Sequence, residues 1–146
     1  ITEIFYLAFV LWREARGESR DGKVAIVECI QNRVEHPSWW GNSVVSVCIK
    51  PWQFSSLTDP RDPQLTKYPG EGPVWDECIE VATAVYDKML PQIVPTADSY
   101  YAVSMDKAGR PPAWSKSPKV RFVGQVGNHK FYDTNGENPD NRKDSE

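Results

Sequence analysis

The chain is poor in the residues from which most metal and redox sites are built. Of 146 residues, three are Cys and two are His. Cys29, Cys48 and Cys78 lie far apart, with no Cys-x-x-Cys pair. An odd, sparse set argues against a disulfide framework and reads as buried thiols, with one bridge plus a free thiol as the alternative. His36 and His129 belong to no His-Glu-x-x-His pattern, so neither a catalytic zinc nor any other cofactor is expected. The apolar run Ile4 to Trp12 is too short to span a bilayer. It also lacks the basic lead-in and small-residue cleavage site of a signal peptide. The chain begins with Ile rather than Met, so this says nothing about export. Net charge is small too. The formal net charge is −3, and Asp133 to Glu146 hold five acids against two bases, which leaves the preceding body neutral. That composition excludes a basic nucleic-acid binder and a polybasic membrane patch.

What is present suits one compact domain. Hydrophobic residues make up 40% and charged residues 25%. Six Trp, six Tyr and five Phe suit either a groove that stacks on rings or a well-packed core. Apolar spacing predicts a first helix from about Glu3 to Arg16 and a second with the stripe Val24, Val27, Ile30 and Val34. Ser19 or Asp21 is the candidate cap of the second helix, and Pro37 closes it. The short connector predicts that the two helices pack as neighbours. Ser43 is expected to cap a short helix, Val44 to Ile49, ended by Pro51. From Lys50 to Gly72 the chain is rich in Pro, Asp, Gly and Thr, and a loop of this length inside a compact domain is often functional. It starts with Trp52-Gln53-Phe54-Ser55. Pro73 opens the clearest helix, predicted to reach Leu90 with Val74, Cys78, Val81, Ala82, Val85 and Met89 on its core face. Tyr100 to Val103 suits a short strand. Val120 to Val126 and Lys130 to Tyr132 flank Gly127-Asn128 as a β-hairpin. The expected domain spans residues 1–132, and the acidic, Asn- and Gly-rich residues 133–146 read as a disordered tail.

One stretch stands out: Trp12-Arg13-Glu14-Ala15-Arg16-Gly17-Glu18. On a helix, Ile4, Leu7, Leu11 and Glu14 share one face. Glu14 thus extends an aliphatic stripe, close to a helix C-terminus that Gly17 marks. Burial and the helix dipole both disfavour its charge and raise its pKa. A carboxylic acid that keeps its proton near neutral pH is what a general acid needs. Pairing with Arg13 or Arg16 would undo this and leave an ordinary salt-bridged helix end.

The order of motifs resembles the spore-cortex-lytic (SleB-type) cell-wall hydrolase family. The matches are Glu14-Ala15-Arg16-Gly17-Glu18, Gly22-Lys23-Val24-Ala25-Ile26 leading to Asn32-Arg33-Val34, Gln53-Phe54-Ser55, Tyr100-Tyr101, Pro112-Ala113-Trp114, and Gly127-Asn128-His129-Lys130-Phe131-Tyr132. The resemblance implies a mainly α (α+β), lysozyme-like domain acting on peptidoglycan at the bacterial cell wall, as a monomer. It implies cleavage of the β-1,4 bond between N-acetylmuramic acid and N-acetylglucosamine, with Glu14 as the catalytic residue. The small form suits a bacteriophage endolysin or the catalytic domain of a larger bacterial enzyme. Glu28 departs from the pattern, standing where the family usually has a small or apolar residue.

Most glycosidases use two carboxylates, whereas a lytic transglycosylase works with one. Glu18 is a candidate second carboxylate, or a first-turn acid of the second helix. Asp59, Asp62 and Glu71 in the long loop are others, and nothing in the sequence chooses among them. Gln53 and Ser55 are candidates to bind the acetamido group or to position Glu14. Tyr100 and Tyr101 alternate on a strand, so only one faces the groove. Trp114 either stacks on a sugar or packs on the helices. His129, at the hairpin turn, orders that turn or lines the groove. A hydrolytic muramidase is the alternative chemistry on the same fold. A stem-peptide amidase and a non-catalytic wall-binding domain are the alternatives of another class.

Overall fold

A computed structural model describes residues 1–50 and 53–137. Trp52, Pro51 and residues 138–146 lie outside the described residues.

Three helices form the core. Helix α1 (Thr2–Ala15) buries Leu7, Ala8, Val10 and Leu11. Helix α2 (Arg20–Glu35) starts at Ser19, one of its two candidate caps, whose hydroxyl accepts the Gly22 N–H. It buries Val24, Ala25, Ile26, Val27, Cys29 and Ile30, a broader surface than the single stripe expected. Helix α3 (Val44–Cys48) carries a capping box between Ser43 and Ser46 and closes one end of α1 and α2. Helix α4 (Ser55–Thr58) and a 3₁₀ turn, Pro63–Thr66, organise the long loop. Helix α5 (Pro73–Tyr86) packs along α1 and also contacts α2.

Helix α5 is shorter than its apolar pattern suggests. Lys88 adopts φ 57°, the Met89 N–H reaches back to the Ala84 carbonyl at 2.8 Å, and the Lys88 N–H to Val85 at 3.0 Å. This is a Schellman stop built on Lys rather than the usual Gly. Met89, expected in the core, is therefore exposed; Val74, also expected there, is exposed in the first turn, while Cys78, Val81 and Ala82 form the buried centre.

The C-terminal part is a three-stranded antiparallel sheet of order β1-β3-β2, with β1 Ser99–Ala102, β2 Arg121–Val126 and β3 His129–Asp133. The expected hairpin is present, and β1 joins its β3 edge with Tyr100 opposite Phe131. Gly127 takes φ 58° at the first position of the two-residue turn, where a side chain would be strained. Helix α6 (Val103–Lys107) follows β1 directly, and a 3₁₀ turn, Ala113–Lys116, precedes β2. The sheet's inner face buries Phe131 against the helices.

The first residues of the expected tail belong to the fold. Thr134 is fully buried, and its N–H and hydroxyl both donate to the Asp98 carboxylate at 3.0 and 2.9 Å. Ser38 Oγ and Trp39 Nε1 donate to the carbonyls of Gly136 and Glu137. Cys29, Cys48 and Cys78 are free, buried thiols, so the alternative with one disulfide does not hold. Burial pushes the Cys29 and Cys48 thiols up to about 12. Glu28 is buried and accepts the N–H groups of Ile93 and Val94, which fastens the segment after α5 to α2.

Candidate active site

Glu14 sits in the last turn of α1, where the aliphatic stripe runs out into solvent. Leu7 and Leu11 are fully buried, but Glu14 itself is exposed, contrary to the burial its spacing suggests. Protein still crowds the carboxylate. Ser56 and Asp62 of the long loop, His129 of β3 and Tyr100 of β1 are all close enough to act on its charge. The carboxylate is thus open to solvent on one side, with enough surrounding protein to strip away part of its hydration. This desolvation raises the Glu14 pKa and Asp62 adds to it, while the Ser56 hydroxyl and N–H and His129 pull the other way without cancelling it.

Neither neighbouring arginine neutralises Glu14. Arg13 is buried and turns to the long loop. Its Nη1 donates to the Ser56 carbonyl at 2.7 Å, and its Nη2 to Leu65 and Lys67 at 3.1 and 3.0 Å. Its guanidinium lies over the rings of Phe9 and Tyr68, 4.0 and 5.1 Å from their centroids. Arg16 donates to the Trp12 carbonyl and to Gln64 and lies over the Trp12 ring.

Glu18 is used differently. Its carboxylate accepts the Asn128 N–H at 3.3 Å, the Asn128 side-chain amide at 3.1 Å, and contacts His129 Nδ1 at 3.2 Å. Partial burial pushes its pKa up, but the Asn128 hydrogen bonds and His129 outweigh burial and hold it below the usual carboxylate range. The Glu18 backbone carbonyl accepts Lys23 Nζ at 2.8 Å. Glu18 thus ties the hairpin turn to the start of α2.

The two tyrosines lie on opposite faces of the sheet. Tyr100 shares the inner face with Phe131 and His129, ring centroids 5.3 and 5.2 Å away. Burial and then the Glu14 charge push its phenol well above the usual value, so it stays an O–H donor. Tyr101 points outward, stacks on Tyr132, and donates to Asp106 at 2.9 Å. Trp114 packs edge-on against Tyr101 and Tyr132 on that outer face. Tyr100 and His129 therefore stand near Glu14, with Glu18 in contact with His129. Tyr101 and Trp114 stand on the other side of the sheet.

The long loop also sorts its residues. Gln53 Oε1 accepts from Arg33 Nη1 at 3.2 Å, which holds it against the α2 interior. Ser55 is exposed and donates to Asp62 at 2.6 Å. The next residue, Ser56, faces Glu14 and is fully buried. Asp59 pairs with Arg61 at the loop tip. Sequence reasoning did not single out Ser56. A serine pair in a loop carries no periodicity to say which hydroxyl turns inward. Asp62 was one acid among several, and only the folded loop brings it toward Glu14. Among the described residues no group of three or more His, Cys, Asp or Glu is placed to hold a metal ion, and no helix is long and apolar enough to cross a membrane. Concavities of about 530 and 260 Å³ lie along the C-terminal half of α2, away from Glu14.

A stretch of 123 residues, 84% of the chain, is 30% identical to the spore cortex-lytic enzyme of Bacillus subtilis (strain 168). The chain spans about a third of that relative's length, 36%. No solved structure matches. The model of the family described as Cell Wall Hydrolase matches residues 17–132, beginning just after Glu14 and taking in Glu18, the long loop, Tyr100 and the hairpin. On a match of that extent, the chain belongs to the cell wall hydrolase family.

Proposed function

We propose that the chain cleaves the glycan of peptidoglycan between N-acetylmuramic acid and N-acetylglucosamine, as a lytic transglycosylase with Glu14 as its acid and base. The observation that carries this reading is the state of Glu14. It is open to solvent, unpaired by Arg13 or Arg16, and raised in pKa by the protein around it. In the first step the protonated carboxyl gives its proton to the glycosidic oxygen as the C1–O bond breaks. Positive charge then develops at C1 and the ring oxygen. The muramoyl 6-hydroxyl attacks C1, and the Glu14 carboxylate takes the hydroxyl proton. The products are a 1,6-anhydro sugar end and a free 4-hydroxyl, with Glu14 again protonated and no water consumed. Tyr100, kept as a phenol, and His129 stand on the sheet side of Glu14 and are the candidates to bind the sugar there.

Asp62 favours a second reading. It is the loop carboxylate that acts on Glu14, and a hydrolytic muramidase needs such a partner to hold or activate water. Glu18 suits that role less well, because its oxygens are taken up by Asn128 and His129.

Mass spectrometry of fragments released from purified peptidoglycan tests both readings. Anhydro-muramic ends from the wild type, with Glu14→Gln slowed by about 10³-fold or more, are expected. Reducing muramic ends would shift the assignment to the muramidase with Asp62. Intact glycan with cut stem peptides would mean an amidase, and no release at all a binding domain. Substantial lysis by Glu14→Gln would remove Glu14 from the chemistry.

A further inference from the structure

Ser56 presents a buried polar group that the fold does not use. Its side chain is fully buried, and its Oγ has no hydrogen-bond partner among the described residues. A buried hydroxyl without a partner is costly, and cores generally avoid one. Its backbone is held firmly. Arg13 Nη1 grips the Ser56 carbonyl at 2.7 Å, and Arg13 itself is anchored by two further loop carbonyls and two aromatic rings. The hydroxyl and the Ser56 N–H both lie toward Glu14, near enough to favour its ionised form, and the hydroxyl stops short of a closed hydrogen bond. The other groups facing Glu14 are Asp62 from the loop, His129 from β3 and Tyr100 from β1.

We propose that Ser56 is a positioning residue for Glu14, its hydroxyl closing onto the carboxylate as Glu14 gives up its proton. This rests on Glu14 being the acid. The geometry suits a bond made late rather than early. Catalytic hydrogen bonds that are long in the resting enzyme tighten as charge develops. A donor that strengthens its contact only with the carboxylate stabilises the state reached after proton transfer, and so speeds the step without tightening ground-state binding. Arg13 acts one step further back, because it sets where the Ser56 backbone stands.

The test uses the whole chain and soluble, uncross-linked peptidoglycan strands as substrate. Ser56→Ala removes only an unpartnered hydroxyl, so thermal unfolding is expected to be unchanged or slightly higher. Its kcat is expected to fall about tenfold or more with KM little changed, the size of a hydrogen bond to a charged group. Loss of a donor to the carboxylate also raises the Glu14 pKa, so the alkaline limb of kcat/KM moves to higher pH. Ser56→Thr, which keeps the hydroxyl, moves that limb back. A slower enzyme with a broader alkaline range is not what a purely structural serine produces. Wild-type kcat and an unmoved limb in Ser56→Ala would overturn the proposal. Glu14→Gln assayed beside it separates the two failures. If Glu14→Gln is inactive while Ser56→Ala behaves as wild type, the Ser56 role alone is lost. If Glu14→Gln stays active, the underlying reading fails and this one with it.

Discussion

Two walls flank Glu14, and each is fastened by a charged residue within four positions of it. The loop wall, from α4 to the following 3₁₀ turn, hangs on Arg13, a cation that collects the carbonyls of Ser56, Leu65 and Lys67. The hairpin wall hangs on Glu18, an anion that collects the Asn128 N–H groups and His129. Each charge meets backbone or side-chain dipoles of opposite sign, so Arg13 is engaged by the loop rather than by Glu14. The difference lies in what can switch them. Arginine stays charged at every accessible pH, so its hold on the loop wall is indifferent to acid. A glutamate titrates, so the hairpin wall is not.

Removing Arg13 breaks this comparison most severely. Arg13→Ala leaves three loop carbonyls without their donor and empties the space between Phe9 and Tyr68. A loss on the order of 3 kcal/mol in urea unfolding is expected, because several hydrogen bonds to one buried charge go at once. Limited proteolysis should locate the damage, with new cleavage between Asp59 and Lys67 and none at the hairpin. Arg13→Lys keeps the charge but not the fork that reaches several carbonyls, and is expected to recover only part of the loss. Wild-type stability in Arg13→Ala would mean that the loop holds itself in place.

Glu18→Gln sharpens the contrast in pH. The Glu18 pKa is held below the ordinary carboxylate value of 4.5. Its contribution is therefore complete above about that pH and is lost as pH falls through the folded-state value. At pH 7 the substitution is expected to cost about 1–2 kcal/mol, since amide-to-carboxylate bonds become neutral ones. At low pH the wild type has lost the same advantage, so the two unfolding curves should converge. A constant gap across the acid range would show that Glu18 works by shape rather than by charge.

Much of this frame is legible in the sequence, because it is local. Ser19 and Ser43 announce their helices by side chains that cap N–H groups three residues on, and Gly127 announces its turn by a φ that other residues resist. The end of α5 is not legible, since a Lys at 88 takes the left-handed position where Gly or Asn is the usual signal. Alternation along β1 shows that one tyrosine of the pair faces inward. Which one depends on the face of the sheet that meets the helices, and that is a tertiary fact. The surroundings of Glu14 depend on distance in the chain. Arg13 finds its carbonyls 43 to 54 residues away, and Glu18 finds Asn128 110 residues away. Spacing within α1 placed Glu14 on the right face but implied burial, because a helical repeat does not show where neighbouring elements stop covering it.

Glu14→Gln gives the smallest expected change in stability and the sharpest comparison with Glu18. Here the folded pKa is raised above 4.5, mainly by desolvation. The native state therefore loses stability as pH climbs from about that value through the folded-state pKa, and bears the full cost above it. Glutamine removes the charge, so the variant should match the wild type in acid and exceed it at neutral pH. Solvent reaches this carboxylate and screens it, so the gain is expected to be roughly half a kcal/mol. The pH at which the two stability curves part marks the Glu14 titration. Two glutamates four residues apart should thus give difference curves of opposite sign, one where the fold spends stability on a proton and one where it gains stability from a charge. If Glu14→Gln is instead the less stable protein at pH 7, the carboxylate is held by favourable contacts, and its fitness as a general acid loses its physical basis.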